Sequence, residues 1–546
     1  MKKILSILFF SFCISLPVVL PFFHPGYFPT HDGEWAVVRL GDMFRLIRDF
    51  QIPARYSGEL NFGYGYPLFN FTYPLPYYIG TFIHLSGIGF VDTIKILFAS
   101  SVFLSAFFMF LVSKSLWKNN WAGIISAILY VYFPYRMVDL YVRGSIGESL
   151  SYALFPLLFY LAIKLINKPS FLLIGIIGIS VALLITTHNI MTVFFMPLYM
   201  IFILIQAVLK NKKAIKSFLI SIVLGFGLSA FFWIPALFEK SNILLSKIPI
   251  ADRNLYFVNL SQFIYPRWGY GVPTDPNGFS YQLGLVHLAV LIIIILTLLF
   301  PLIKNNQHLK SNSIKAVNTL IIITAFFIFL LFKPSEFLWA NVPLLSEINY
   351  PWIALGILGF LISLMAGFLS KQILGKYIGV FLGVIAILIV LPYAKPQNYI
   401  DKPDSYYLTN DATTTSSNEL MPLWVKKIPS QRASKKVEII NGKGSIGNIL
   451  FNSKQISFSI ISLSQTTIRI NTIYYPGWRI NVDKVNTPIS YSNEKGVMDI
   501  QVPLGTHMVN AKFEETPLRL VSNIISLSSF FLLVLLVVNR NKYAIS

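Results

Sequence analysis

The chain has 546 residues, 55% hydrophobic and 12% charged, with a formal net charge of +21. That is more apolar than a soluble domain, and the basic residues fall in short loops between long apolar runs, as membrane topology requires, so the charge does not imply nucleic acid. A single cysteine, Cys13, excludes an intrachain disulfide and thiolate metal clusters.

Met1-Lys2-Lys3 precedes an apolar run that reaches about Phe23 without a small-x-small cleavage site, which predicts an uncleaved first helix. Spans are expected at roughly 4–23, 92–113, 120–137, 148–166, 171–187, 190–209, 215–236, 283–303, 314–332, 351–370, 376–394 and 518–538. Each is close to the ~20 residues that cross a bilayer, and together they make about a dozen. Between the first two, Ala36, Leu40, Met43, Ile47 and Phe50 recur at helical spacing, with Asp42, Arg45, Arg48 and Asp49 largely elsewhere. This predicts an amphipathic helix lying in the interface. The aromatics from Asn61 to Pro74 read as an interfacial belt, or as a platform for a sugar or lipid chain. The 73–89 stretch, broken by Pro74, Pro76, Gly80 and His84, is expected to be re-entrant or interfacial.

A cytoplasmic N-terminus puts Lys2 and Lys3; Lys114 and Lys118; Lys164 and Lys168; Lys210, Lys212, Lys213 and Lys216; Lys304, Lys310 and Lys315; Lys371 and Lys376; and Arg540 and Lys542 inside. None of these loops contains Asp or Glu, so the lysine bias of short loops agrees everywhere. Both termini are then cytoplasmic, and every informative polar segment is outside. Counting 73–89 as a span would reverse all later clusters.

The domain reading is a transmembrane unit over 1–394 with a first outer loop at 24–91, an irregular linker at 395–435, an extracytoplasmic β domain at 436–516, and a membrane anchor at 517–546. The β domain shows as two-residue alternation: Ile456, Phe458, Ile460; Ile468, Ile470; Trp478, Ile480, Val482; Val509, Ala511, Phe513. Turn signals at Pro476-Gly477 and Leu504-Gly505 separate the runs, which predicts an antiparallel sandwich with a core of its own.

The candidate chemistry begins at Pro29-Thr30-His31-Asp32-Gly33-Glu34-Trp35, where the chain leaves the first apolar run. A glycosyl transfer needs a carboxylate to take the proton of the acceptor hydroxyl, and Asp32, then Glu34, are the candidate catalytic residues. Asp32 is also suited to cap a helix beginning at Gly33. His31, Asp32 and Glu34 could together bind a divalent metal, the one cofactor the sequence raises, although their spacing matches no known metal motif. In Arg143-Gly144-Ser145-Ile146-Gly147-Glu148 the glycines allow close backbone approach, and Arg143 offers a planar fork for phosphate. An Arg143–Glu148 pair closing the turn is the alternative. Thr186-Thr187-His188-Asn189 ends a span on the same side, where a histidine also suits a helix terminus. His31, Arg143, Glu148, His188 and Asn189 are the candidate substrate-binding residues.

These stretches resemble the bacterial integral-membrane proteins related to 6-pyruvoyl-tetrahydropterin synthase, and more loosely the lipoteichoic-acid glycosylation factors, both similar to the glycosyltransferase C superfamily. The matching residues are His31-Asp32-Gly33, Gly65-Tyr66-Pro67-Leu68-Phe69, Arg143-Gly144 with Gly147-Glu148, and Thr187-His188-Asn189. They continue with Thr413-Thr414-Thr415-Ser416, Glu419-Leu420-Met421-Pro422 and Tyr474-Tyr475-Pro476-Gly477-Trp478. The resemblance implies a polytopic glycosyltransferase C fold with an active site on the outer face. It also implies a polyprenyl-phosphate-linked sugar as donor and an acidic residue of the first loop as base, the place Asp32 occupies. In Asn349-Tyr350-Pro351-Trp352-Ile353 it leads one to expect arginine where Ile353 stands; if that arginine grips the donor phosphate, either the donor site is altered here or Arg143 carries more of the task. The three-histidine zinc site of a pterin synthase has no counterpart among the seven scattered histidines.

The expected activity is transfer of a sugar from that donor to a cell-envelope glycan, lipid or protein. The rivals are a transporter or flippase for lipid-linked glycans and an assembly factor for them. Transporters place polar groups near the bilayer midplane, whereas here the charges sit at helix ends.

Overall fold

The computed structural model describes residues 2–264, 268–272, 274, 278–303, 311–372 and 374–538. Its main helices are α1 (Lys2–Val19), α2 (Gly33–Arg48), α3 (Leu75–His84), α4 (Phe90–Trp117), α5 (Asn120–Val131), α6 (Pro134–Val138), α7 (Ile146–Asn167) and α8 (Phe171–Thr187). They continue with α9 (Asn189–Lys210), α10 (Ala214–Leu228), α11 (Ala230–Phe238), α12 (Leu285–Ile303), α13 (Ser311–Leu331), α14 (Leu355–Ala366), α15 (Gly375–Val390) and α16 (Pro517–Val538).

Among the described residues, eight helical segments are long and apolar enough to cross a membrane, or ten if each of two bent pairs is one span. The other two predicted spans coincide with shorter apolar helices, Phe171–Thr187 and Leu285–Leu299. The 73–89 stretch does not span: α3 has ten residues, about 15 Å of helix, and packs on α2 and α4. Of the predicted inside lysines and arginines, Lys304, Lys310, Arg540 and Lys542 lie outside the described residues.

Each bend has a local cause. Pro134 has no N–H to continue the ladder, and α5 turns by 46° into the segment Pro134–Arg143. Between α10 and α11 the chain turns by 69° at Ser229, whose hydroxyl donates to Gly225 O (2.9 Å). Residues 351–370 are all buried and form the hub, whereas only 11% of the most apolar stretch of α16 is buried, and that helix lies at the periphery. Helix ends are satisfied locally at Asn119, which accepts from Trp121 N (3.0 Å), and at long range by Asp404. Its carboxylate accepts from Phe90 N (2.6 Å) and Val91 N (3.1 Å) at the start of α4.

The β domain follows the alternation. Strands β1 (Val437–Asn441), β4 (Thr466–Ile473) and β7 (Val497–Val502) form one sheet, in the order β1-β4-β7. Strands β2 (Gly444–Phe451), β3 (Gln455–Ser462), β8 (Gly505–Phe513), β5 (Trp478–Val482) and β6 (Val485–Thr487) form the other, in the order β2-β3-β8-β5-β6. All pairings are antiparallel, with Phe458 opposite Val509 and Ile480 opposite Ala511.

The expected separate core is not what forms. Trp478 and Phe513 pack on Tyr56 of the first loop, at ring separations of 5.6 and 5.2 Å. The Tyr56 hydroxyl lies 2.8 Å from Ile473 O, and Ile473 N donates to Tyr64 O (2.8 Å). One continuous core therefore runs from the helices into the sandwich. The return to the membrane is clamped by Glu239 at the end of α11. Its carboxylate accepts from Arg519 Nε (3.0 Å) and Nη2 (2.8 Å), Asn70 Nδ2 (2.8 Å) and Thr516 Oγ1 (3.1 Å).

Candidate functional site

Two of the motifs are joined by backbone. His31 N donates to Val142 O (3.0 Å), and Asp32 N donates to Arg143 O (2.8 Å). The approach requires glycine: Gly144 has φ +66°, and a Cβ there would meet Gly33 Cα at 2.9 Å. Asp139–Arg143 forms a π-helical turn just before it, a rare geometry frequent at functional sites.

Beside this junction lies a cavity of about 410 Å³. Asp32, Trp35, Ala36 and Arg39 line it from α2, at the zero, three, four and seven spacing of one helix face. Arg143 faces them from the π-turn, and His188 and Asn189 from the start of α9. Leu237, Leu245, Ile250, Leu344 and Ile348 make an apolar wall, with Lys240 and Glu347 ion-paired among them. Irregular segment 395–435, which contains one short helix (Asp404–Leu408), supplies Thr415, Ser416 and Glu419.

Asp32 is not explained by capping. Thr30 Oγ1 accepts from Gly33 N (2.8 Å) and takes that role, and Asp32 makes no side-chain cap bond. Among the described residues its carboxylate makes no hydrogen bond or ion pair, although it faces a cavity that also holds an arginine.

Arg143 is held from behind. Its guanidinium pairs with Glu148, donates to Tyr135 Oη (3.0 Å), lies 3.9 Å from Asp139 Oδ1, and stacks 4.7 Å from the Trp352 ring. Arg136 completes this buried layer, donating to Ser149 O (3.1 Å) and Ser101 Oγ (2.8 Å), with Asp139 Oδ2 at 4.0 Å. The layer thus sets two guanidinium groups against two carboxyl groups, and a buried charge needs such counterparts. Position 353, where the resemblance led one to expect arginine, is a buried isoleucine beside Trp352.

His188 caps α9. Its Nδ1 accepts from Met191 N (3.2 Å), which leaves the ring proton on Nε2, and Tyr73 packs against it at 5.0 Å. Asn189 Nδ2 donates to Phe71 O (3.1 Å).

Three of the sequence candidates do not line the cavity. Glu34 lies off the Asp32 face of α2, beside Tyr27 and Tyr407, and burial raises its carboxyl above the ordinary value. His31 packs near Phe279, with Nε2 3.0 Å from Tyr270 O. Glu148 is fully buried behind Arg143. His31, Asp32 and Glu34 thus diverge, and among the described residues no three His, Cys, Asp or Glu side chains converge as metal ligands.

Arg39, Lys240 and Glu347 were not singled out from sequence, and Glu419 entered only as part of the Glu419-Leu420-Met421-Pro422 match. Arg39 could have been, because it lies seven residues beyond Asp32 on one helix face. It donates to Thr414 Oγ1 (3.1 Å) and to the Thr414 carbonyl, and so binds the linker to the cavity wall.

The helical bundle, its antiparallel β domain and this cavity define a polytopic membrane protein. Residues 69–399 match the model of the 6-pyruvoyl-tetrahydropterin synthase related domain, a membrane-protein family. The match covers more than half of the chain, and the chain belongs to that family. An uncharacterized protein of Lactococcus lactis subsp. cremoris (strain MG1363) is 24% identical over 233 residues, 41% of this chain and 38% of that one. The matched stretch therefore spans well under half of that relative.

Among solved structures, the apo oligosaccharyltransferase of Archaeoglobus fulgidus aligns over 77% of this chain and 61% of its own, at 13% identity and a TM-score of 0.41. The same enzyme tethered with an acceptor peptide containing the NVT sequon aligns over 78% and 60%, at 16% identity and 0.43. Its complex with an inhibitory peptide and a dolichol-phosphate aligns over 77% and 61%, at 13% identity and 0.41. The chain spans less than two thirds of each of these structures.

Proposed function

We propose that the protein is a membrane glycosyltransferase of the glycosyltransferase C type. It moves a sugar from a polyprenyl-phosphate-linked donor to a cell-envelope acceptor on the outer face of the membrane. The observation that carries this reading is the make-up of the cavity: a carboxylate that, among the described residues, makes no hydrogen bond or ion pair, opposite a braced arginine and beside an apolar wall.

The assignments follow from that arrangement. Arg143 takes the donor phosphate; its fork matches phosphate oxygens, and Glu148, Asp139 and Trp352 fix its position. The His188 Nε2–H is a second donor to the same group. The apolar wall from Leu237 to Ile348 takes the first units of the lipid. Asp32 accepts the proton of the acceptor hydroxyl as that oxygen attacks the anomeric carbon and the phosphate leaves with its bonding electron pair. One displacement inverts the configuration. The chemistry sits at helix ends rather than at mid-span, which favours the enzyme over a transporter or flippase.

The test is transfer of labelled sugar from a polyprenyl-phosphate donor in membranes expressing each variant. Asp32→Asn keeps size and polarity but cannot take the proton, so transfer falls about 10²–10⁴-fold. Glu34→Gln, on the other side of the helix, changes transfer little. Full activity of Asp32→Asn at normal expression would remove the base assignment.

A further inference from the structure

The bundle carries a second feature at the far end of α10 from the Asp32 cavity. Helix α10 leads through α11 to that cavity, and its own first turn begins a groove against α16. The two helices touch where Gly227 meets Ser529: a Cβ on Gly227 would lie 2.2 Å from Ser529 Oγ, and Ser526 Oγ donates to Gly227 O (3.1 Å). Beyond that contact a groove of about 630 Å³ opens.

Its wall is almost wholly apolar, and its end is basic. Ile215, Leu219 and Val223 line it from α10 and Leu532 from α16, with Val223 73% exposed and Leu532 49% exposed. Lys212 and Lys216 close the end, and among the described residues neither ammonium makes a hydrogen bond or an ion pair. The N-terminus of the 15-residue α10 lies between them and adds its partial positive charge. From Ile215 to Val223 the helix rises about 12 Å, a strip on which one extended chain can lie.

We propose that this groove binds an anionic phospholipid. The phosphate sits on Lys212 and Lys216, and one acyl chain runs along Leu219 and Val223 toward Leu532. A lone anion would meet the lysines but leave the apolar strip uncovered, and a zwitterionic lipid would bring the quaternary ammonium of its headgroup against the two lysine charges and the helix N-terminus. The bound lipid fills the space between α10 and α16 and so holds the peripheral helix that carries the β domain.

The experiment uses the purified full-length protein in a neutral detergent. Phosphatidylglycerol, phosphatidylcholine and inorganic phosphate are added in turn, with thermal unfolding and native mass spectrometry as readouts. Phosphatidylglycerol is expected to raise Tm and to stay bound, while phosphatidylcholine and phosphate do neither. The double variant Lys212→Gln and Lys216→Gln is expected to bind phosphatidylglycerol about thirtyfold more weakly. Val223→Trp fills the groove with both charges intact and is expected to lose retention. Each variant is first checked for unchanged Tm without lipid, and Ile215→Trp replaces Val223→Trp if that one is unstable. Equal effects of phosphatidylglycerol and phosphatidylcholine, a Tm rise with phosphate alone, or full retention by the groove-filled variant would each overturn the assignment.

Discussion

Asp42 shows how the first loop departs from a simple interfacial helix. It sits on α2, 2% exposed, and among the described residues its Oδ2 has no hydrogen-bond partner. Burial pushes its carboxyl up to about 6. Between about pH 4 and 6 the folded chain therefore keeps a proton that the unfolded chain has lost, and stability falls as pH rises through that window. Asp42→Asn is expected to be more stable than the parent at pH 7.5, on the order of 2 kcal/mol, with the gap closing toward pH 4. Thermal unfolding at both pH values checks this, and a gap independent of pH would contradict it. Charge patterning in the sequence put Asp42 on the wet face of α2, because nothing local shows that the 404–411 segment and the β domain cover it. Glu34 was more legible: it is two residues from Asp32, about 200° around a helix, so one groove cannot receive both from α2. Thr30 could not be told from Asp32 as the cap until the turn was seen.

At the scale of elements, the hydrophobic runs placed the spanning helices and the two-residue alternation placed β3, β4, β5 and β8, since both are set by local period and length, whereas β1, β2, β6 and β7 carried no such signal. What they could not place is the join between them. Trp478 and Phe513 read as core residues and are buried, but part of their cover is Tyr56, more than 400 positions away. The irregular 395–435 segment has no period to read, yet Thr414 and Glu419 fix it to the cavity. The Glu239 clamp is the strongest of these joins. Glu239→Ala leaves Arg519, whose side chain is 0% exposed, without its counter-charge; removing one partner of a buried pair costs about 3–5 kcal/mol. The variant is expected to have a lower Tm and faster protease cleavage within 395–435, while Glu239→Gln, which keeps the acceptor oxygen, is milder. Unchanged cleavage in both would mean that the clamp does not hold the β domain.

For the whole molecule, orientation rests on the lysines. Lys114, Lys118, Lys164, Lys168, Lys210 and Lys212 share loops without an acidic neighbour, and the positive-inside bias is the ground on which we propose that these loops are cytoplasmic. Reporter fusions after Lys213 and after Ser434 are expected to read inside and outside, respectively. The opposite reading at either site would invert the topology and move the cavity to the cytoplasmic face.

The central claim is that the Asp32–Arg143 cavity receives a polyprenyl-phosphate-linked sugar. Its most direct test is a donor carrying a photoreactive group on the first isoprene unit, crosslinked in membranes and mapped by mass spectrometry. The account predicts adducts on Leu245, Ile250, Leu344 or Ile348, suppressed by unlabelled donor and strongly reduced in Arg143→Lys, which keeps the charge but loses the planar fork. Saturable adducts confined to other helices, with these four residues unlabelled, would contradict it.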